Sequence, residues 1–228
     1  MANAATTAAA SAVAADGTAV EIYRRLPSLG EVEHISSVLA PNSSVLDLGA
    51  GTGRIADPLT ALGHRVTAVD DSAEMLAHIR HARKIQSRIE DLRLPERFDA
   101  VLLVGNMLNY PGTRLRRSLL ATVAHHLAPA GRAIIQWAPP RLLAARTKGL
   151  TVATTVGAVT MTLSIHSNRG GLVKGEFTLA ADSQCWHQPV ALARISAPTV
   201  RAELARAGLV LTTTAPGETR WLQARRRR

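Results

Sequence analysis

Between Val45 and Gly53 an apolar run breaks into glycines at alternate positions, and this break constrains the chain more than any other stretch. Val45-Leu46-Asp47-Leu48 reads as a buried strand, Gly49-Ala50-Gly51-Thr52-Gly53 as a tight turn, and Arg54 to Leu62 as a helix. A glycine has no Cβ, so the backbone there bends sharply and admits a ligand close to it. The N-terminus of the helix adds free N–H groups and a partial positive charge. A second apolar run, Arg65-Val66-Thr67-Ala68-Val69-Asp70, ends in an acid. That acid follows the glycines by about 20 residues, the separation at which a doubly wound sheet places a carboxylate on ribose hydroxyls. A strand, a glycine turn, a helix and an acid-ended strand together read as a nucleoside-cofactor site.

The spacing separates two classes of cofactor. Dinucleotide sites carry G-x-G-x-x-G, with the third glycine inside the helix. Here the pattern is Gly49-x-Gly51-x-Gly53, with Asp47 two residues upstream. An acid so near the turn would repel a pyrophosphate and suits a cofactor with a cationic head. The segment Asp47 to Gly53 resembles motif I of the class I S-adenosylmethionine-dependent methyltransferases. Val66 to Leu76 resembles the second motif of that family, and the resemblance continues through Ile89 to Pro95 and Phe98 to Val104. It covers about Val45 to Ala138 and bears on cofactor and fold, not on the methyl acceptor.

The resemblance implies a Rossmann-like, doubly wound α/β sheet of seven strands in the order 3-2-1-4-5-7-6. It implies S-adenosylmethionine as donor, S-adenosylhomocysteine as product, and no metal. Gly49, Ala50, Gly51, Thr52 and Gly53 would line the turn beside the methionine and ribose parts, with Asp47 beneath the methionine amino group. Asp70 would accept from the ribose hydroxyls, and Asp71 and Met75 would lie near the adenine. Ile89 and Glu90 would read the adenine edge, with Asp91 the competitor for Glu90 and Arg88 standing where many relatives have aspartate. Gly105 would meet the sulfonium end.

The chain of 228 residues is long enough for one α/β domain with a substantial core. The formal net charge is +10, carried mostly by arginine. No basic stripe is interleaved with aromatics, which argues against a nucleic-acid partner and for an arginine-rich surface. Cys185 is the only cysteine, which excludes an intramolecular disulfide and a cysteine zinc cluster. Residues 1–18 read as a disordered leader without the basic start of a secretory signal. No stretch is apolar enough to span a membrane, so the expected location is cytoplasmic.

A single methyltransferase domain is expected over residues 19–225, with residues 226–228 as a basic tail. Helices are expected over Val20 to Leu26, Gly30 to Leu39, Ser72 to about His81, Thr113 to Leu127 and Thr199 to Ala207. From Gly149 to Ile195 the pattern changes to threonine-rich alternation, read as three or four antiparallel strands. This segment, 149–195, is expected as an insertion after strand five, a lid whose exposed strands offer pairing across a homodimer.

The acceptor side is less legible, because displacement at a sulfonium needs alignment more than any particular side chain. The ends of strands four and five face the crevice of an open α/β sheet. They nominate Asn106, Asn109 and Trp137, and Tyr23 joins them from the N-terminal helix. Trp137 reads equally as core. His187 and His166 on the inserted strands are the candidates for a base. His34 and the pair His125-His126 read as structural or surface. The leading reading is transfer of a methyl group to an oxygen or nitrogen of a small molecule, such as a secondary metabolite, sugar or amino-acid derivative. An RNA methyltransferase and a SAM-binding protein or cyclase that retains the methyl group are the alternatives.

Overall fold

Apolar strands that are buried on both faces need helices on both sides, and the fold follows from that requirement. The computed structural model describes residues 20–26 and 28–227; the expected leader, 1–18, lies outside them. Strands β1 (Ser44–Leu48), β2 (Arg65–Asp70), β3 (Arg83–Gln86), β4 (Phe98–Leu103) and β5 (Leu127–Gln136) run parallel, with β1 at the centre between β2 and β4. The closing strands β10 (Leu209–Leu211) and β11 (Trp221–Arg226) add the antiparallel edge. The order is β3-β2-β1-β4-β5-β11-β10, the expected 3-2-1-4-5-7-6 once the insertion is set aside.

One face of the sheet is covered by α2 (Glu31–Val38), α3 (Ala56–Ala61) and α4 (Ala73–Ala77). Val32, Ile35, Leu59 and Leu76 from these helices pack on Val45, Ala68, Leu102 and Ile134. The other face is covered by α5 (Thr113–His126) and α7 (Ala197–Arg206), whose Leu120, Val123, Val200 and Leu204 pack on Leu46, Val101, Ile135 and Leu222. Because the central strands are parallel, their C-terminal ends share one edge. Antiparallel β11 brings its first residue, Trp221, to that edge opposite Gln136.

Helix α4 is shorter than its apolar spacing predicts. The Asp57 carboxylate accepts from the backbone N–H groups of Arg80 and His81, and this turns the chain away before the helix can continue. The basic tail also needs correcting. Arg226 is the last residue of β11, and the Arg227 N–H donates to the Gly208 carbonyl at 2.8 Å; only Arg228 lies beyond the described residues.

The insertion forms a separate antiparallel sheet of β6 (Thr151–Val156), β7 (Val159–Arg169), β8 (Leu172–Ala181) and β9 (Gln184–Ala193), joined to β5 through the short helix α6 (Pro140–Ala144). Its residues alternate. One face buries Val159, Met161, Leu179 and Ala181 against Leu26 and Tyr23, the latter on α1 (Val20–Arg25). Further along, the same face buries Ile165, Val173 and Leu192 against Leu143 and Ala138. The opposite face carries Thr160, Thr162, Glu176, Thr178, Cys185 and His187. No helix among the described residues is long and apolar enough to cross a membrane.

His126, read from sequence as surface, is fully buried. Its Nε2 accepts the Leu94 N–H at 2.9 Å, so Nδ1 carries the proton and donates to the Thr122 carbonyl at 2.8 Å. Burial holds this imidazole below its ordinary range, so the native state keeps it neutral. A depressed histidine contributes stability above the unfolded pKa, about 6.5, and loses it as pH falls further. His126→Ala should lower unfolding free energy by about 2–4 kcal/mol at pH 7.5. Urea titrations at pH 7.5 and 5 should show a smaller deficit at pH 5.

Candidate active site

Gly51 and Gly49 show why the turn is built of glycine. The N–H groups of Gly49 and Ala50 both donate to the Val69 carbonyl, at 2.8 and 2.9 Å, which closes the turn onto β2. Gly51 has φ +55°, and a Cβ built there would meet nothing within 4 Å. Its N–H donates to Asp70 Oδ2 at 2.8 Å, so its bare α-carbon faces open space beside a fixed carboxylate. Gly49 is different. A Cβ there would lie 2.9 Å from Met107 Cε and 3.7 Å from Ile89 Cδ1, so these side chains close over the turn.

Asp47, in the central strand, is almost wholly buried, and its Oδ2 has no hydrogen-bond partner. Burial pushes its carboxyl up to about 7, the Arg54 charge offsets part of that, and Asp70 adds to it. Arg54 is itself anchored. Its guanidinium donates to Glu31 Oε2 at 2.8 Å, and Glu31 is buried at the start of α2. Burial opposes ionisation of Glu31, but the hydrogen bond and charge of Arg54 outweigh it and hold the carboxyl below its ordinary range. The site thus contains a compensated ion pair, Glu31 with Arg54, beside an uncompensated acid, Asp47. A donor-bearing cation would satisfy that acid.

The remaining cofactor-side candidates divide by exposure. Asp70 also accepts the Ser72 N–H at 3.1 Å, and the Ser72 hydroxyl caps α4 by accepting the Met75 N–H. Asp71 is exposed, whereas Met75 is buried beneath this turn and presents little surface to a ligand. Ala50 and Thr52 are buried, and Gly53 lies against Ile79 and Asp57. Glu90 is held by Arg88 at 2.6 Å; Asp91 is exposed, 3.8 Å from the same guanidinium.

At the end of β4 the Gly105 N–H donates to Gln136 Oε1 at 2.9 Å. Asn106 follows in the left-handed region, φ +59°, with its buried Oδ1 unpartnered. Two acceptor-side candidates need correcting. Asn109 is fully buried: its Nδ2 donates to the carbonyls of Ala138 and Ala193, and its Oδ1 accepts the Ala138 N–H. Trp137 is likewise fully buried, with its indole N–H on the Thr219 carbonyl at 2.9 Å. Both side chains are consumed by packing. Tyr23 donates to Gln188 Oε1 at 3.0 Å, joining α1 to β9.

The two histidine candidates for a base lie apart from these groups. By strand alternation His187 lies on the face of the inserted sheet turned away from the body, His166 sits at the bulge between Ile165 and Ser167, and both are exposed. His187 contacts Glu176 at 3.0 Å, on that same outer face. His34, set aside from sequence, takes the better position. Its ring stacks on Trp221 with centroids 4.4 Å apart, and its Nε2 is buried without a partner. Trp221 pairs with Gln136, which holds Gly105, so His34 adjoins the strand ends. The only local signal was that Glu31 and His34 are three apart on one helix. Of six unpartnered buried polar side-chain atoms among the described residues, those of Asp47, Asn106 and His34 lie along this edge. Folded proteins leave few such atoms without a ligand or water, so their concentration here marks the site.

Residues 45–131 match the methyltransferase domain family. That match spans less than half of the chain, and the fold described above is the one shared by the solved methyltransferases named below. A Streptomyces protein, cypemycin N-terminal methyltransferase, is 31% identical over 138 residues, which is 55% of this chain and 56% of that protein. The chain spans about half the length of the first curated relatives it matches. In fold, the sugar N-methyltransferase KedS8 from Streptoalloteichus sp superposes with TM-score 0.75 at 22% identity, covering 100% of this chain and 99% of that one. The CcbJ methyltransferase from Streptomyces caelestis gives TM-score 0.75 at 20% identity, covering 92% and 96%.

The raised Asp47 carboxyl has a measurable consequence. Its folded pKa, about 7, lies above the ordinary 3.8, so the native state binds the extra proton and stability falls as pH rises between these values. The loss is at most about 4 kcal/mol. Asp47→Asn should remove it: urea unfolding at pH 8 should find the variant more stable than the parent, with the difference shrinking toward pH 4.

Proposed function

We propose that this chain transfers a methyl group from S-adenosylmethionine to an oxygen or nitrogen of a small molecule. The observation that carries the reading is the unpartnered Asp47 oxygen beneath a glycine turn whose open face adjoins Asp70. The donor's ammonium supplies the N–H groups and positive charge that Asp47 lacks. The Asp70 oxygens accept the backbone N–H groups of Gly51 and Ser72, which hold the carboxylate at the turn where ribose hydroxyls would lie. Gly51 leaves room for the adenosyl part, and Ile89 with Glu90 stands on the side expected to meet the adenine.

When bound, the donor supplies an electrophilic methyl carbon that moves in a single displacement. The protein's work is alignment and exclusion of water, and effective molarities of well-oriented groups are large. Met107 and Ile89 close over the turn and shield it. Asn106 offers an unpartnered acceptor oxygen that can hold a hydroxyl or amine proton. Burial holds His34 below its ordinary range, so a neutral imidazole adjoins the strand ends and can receive a proton from an acceptor. The similar proteins' own names, an N-terminal methyltransferase and a sugar N-methyltransferase, both point to nitrogen as the atom methylated in those proteins.

Incubation with donor labelled in its methyl group, and a panel of hydroxylated and aminated small molecules, tests the reading directly. The label should move to an acceptor. Retention of the label by a chain that binds S-adenosylhomocysteine would instead indicate a binding protein or cyclase. Calorimetry showing NAD or ATP in the turn, and no S-adenosylhomocysteine, would end the cofactor assignment. The ionisation of Asp47 sharpens the test. A cation above it lowers its pKa, so binding should release a proton near pH 6.5 and strengthen as pH rises from 5 to 8. Calorimetry in buffers of different ionisation enthalpy reads the release. Asp47→Asn should abolish it and weaken S-adenosylhomocysteine by roughly 10- to 100-fold at pH 8, about 1.4–2.8 kcal/mol.

A further inference from the structure

Between Asp99 and Glu176 the chain has no carboxylate side chain. The fold gathers basic side chains from this stretch and from a later one around a single hollow. Lys148 follows α6, Arg169 ends β7 and Arg194 follows β9; with Thr147, Ser167 and Asn168 they line a cavity of about 260 Å³. Backbone hydrogen bonds fix its walls. The Gly149 N–H donates to the Ile165 carbonyl at 2.9 Å, so the segment after α6 runs beside β7, and the Arg194 N–H donates to the Gly171 carbonyl at 2.7 Å.

No acid lines the cavity. The acids that come next in sequence, Glu176, Asp182 and Glu203, are held by His187, Arg25 and Arg117. Among the described residues Lys148, Arg169 and Arg194 make no ion pair and no side-chain hydrogen bond, and the Thr147 and Ser167 hydroxyls are unbonded. Asn168 removes groups that would repel an anion. Its Nδ2 donates to the carbonyls of Leu143 and Arg146 at 2.8 and 2.9 Å, which takes up oxygens at the end of α6. Charged donors and hydroxyls are what remain around the hollow. Like charges collected about a concave surface raise its potential and draw an anion in.

We propose that this cavity binds a phosphate group. Each guanidinium fork can pair with two oxygens, and the ammonium adds a point charge. A phosphate brings nearly two charges and at least three acceptor oxygens, enough to engage all three cations, whereas a carboxylate brings one charge and two oxygens. The volume falls below the roughly 300–1,000 Å³ of sites for drug-sized ligands, so the hollow takes the anion and little more. The bound group would join α6, β7 and the end of β9, and so fasten the base of the inserted sheet. Free phosphate and the phosphate of a small ester share this chemistry. The cavity shares no residue with the glycine turn, and the proposal does not rest on the methyltransferase reading.

Calorimetric titration of the full chain without donor, at constant ionic strength balanced with chloride, tests the site. Inorganic phosphate, glycerol 3-phosphate and acetate are the probes. Phosphate or its ester should bind saturably and raise the melting temperature. Lys148→Gln, Arg169→Gln and Arg194→Gln should each weaken the better probe by about fivefold or more, as expected for loss of a charge-assisted contact near the surface. Arg80→Gln, an exposed arginine beyond α4, should leave it unchanged. The three lining cations are exposed, so their removal should leave the fold intact; should one variant melt lower without probe, the other two carry the test. Tighter ester identifies a phosphorylated small molecule as the occupant, and equal or tighter inorganic phosphate identifies the free ion. Absence of saturable binding, acetate as tight as phosphate, or equal weakening by Arg80→Gln overturns the proposal, whatever is found at the donor site.

Discussion

An acid lodged in the central strand of a parallel sheet, with one oxygen unpartnered, is the constraint around which the rest is arranged. Asp47 gains nothing for the fold: burial opposes its ionisation, and Arg54, the nearest counter-charge, is engaged by Glu31. The surrounding strands are apolar and closely packed, so they hold it in place despite its unfavourable setting. Under the proposed function the stability conceded here is recovered on binding, when a cationic donor supplies the hydrogen bond and charge that the acid lacks. The ion pair of Glu31 and Arg54 plays the complementary part by tying α2 to the glycine turn.

The inserted sheet divides its work between its faces. Its apolar side is fastened at one end to α1 through Leu26 and Tyr23, and at the other to α6 through Leu143. Of the histidines that drew attention in the sequence, His187 lies on the opposite side, among threonines. Strand alternation decides this, and it depends on which face meets the body, a matter no local pattern records. The same long-range dependence hid His34, whose partner Trp221 lies at the other end of the chain.

The cofactor half was legible because its signals are local. A strand, a turn of glycines and an acid-ended strand occupy one short stretch, in which Asp47 is buried and Asp70 accepts the Gly51 N–H. The strand order and the existence of the insertion were likewise readable. Helix α4 ended early, and a carboxylate from α3 holds the N–H groups of Arg80 and His81 just beyond it, which is tertiary competition with propensity. His126, Asn109 and Trp137 looked like surface or site residues and turned out to be interior fasteners. Their hydrogen bonds run to backbone atoms far away in sequence, and polar residue type alone does not distinguish a ligand contact from such a bond.

The Asn109 amide bridges the loop after β4 to the ends of both β5 and β9. Tilting the base of the inserted sheet would break the Asn109 bond to the Ala193 carbonyl, in a part-buried place where water does not readily replace it. Hinge motion there is opposed, and with α1 bonded to the far end of the same sheet through Tyr23 and Arg25 the insertion is braced at both ends.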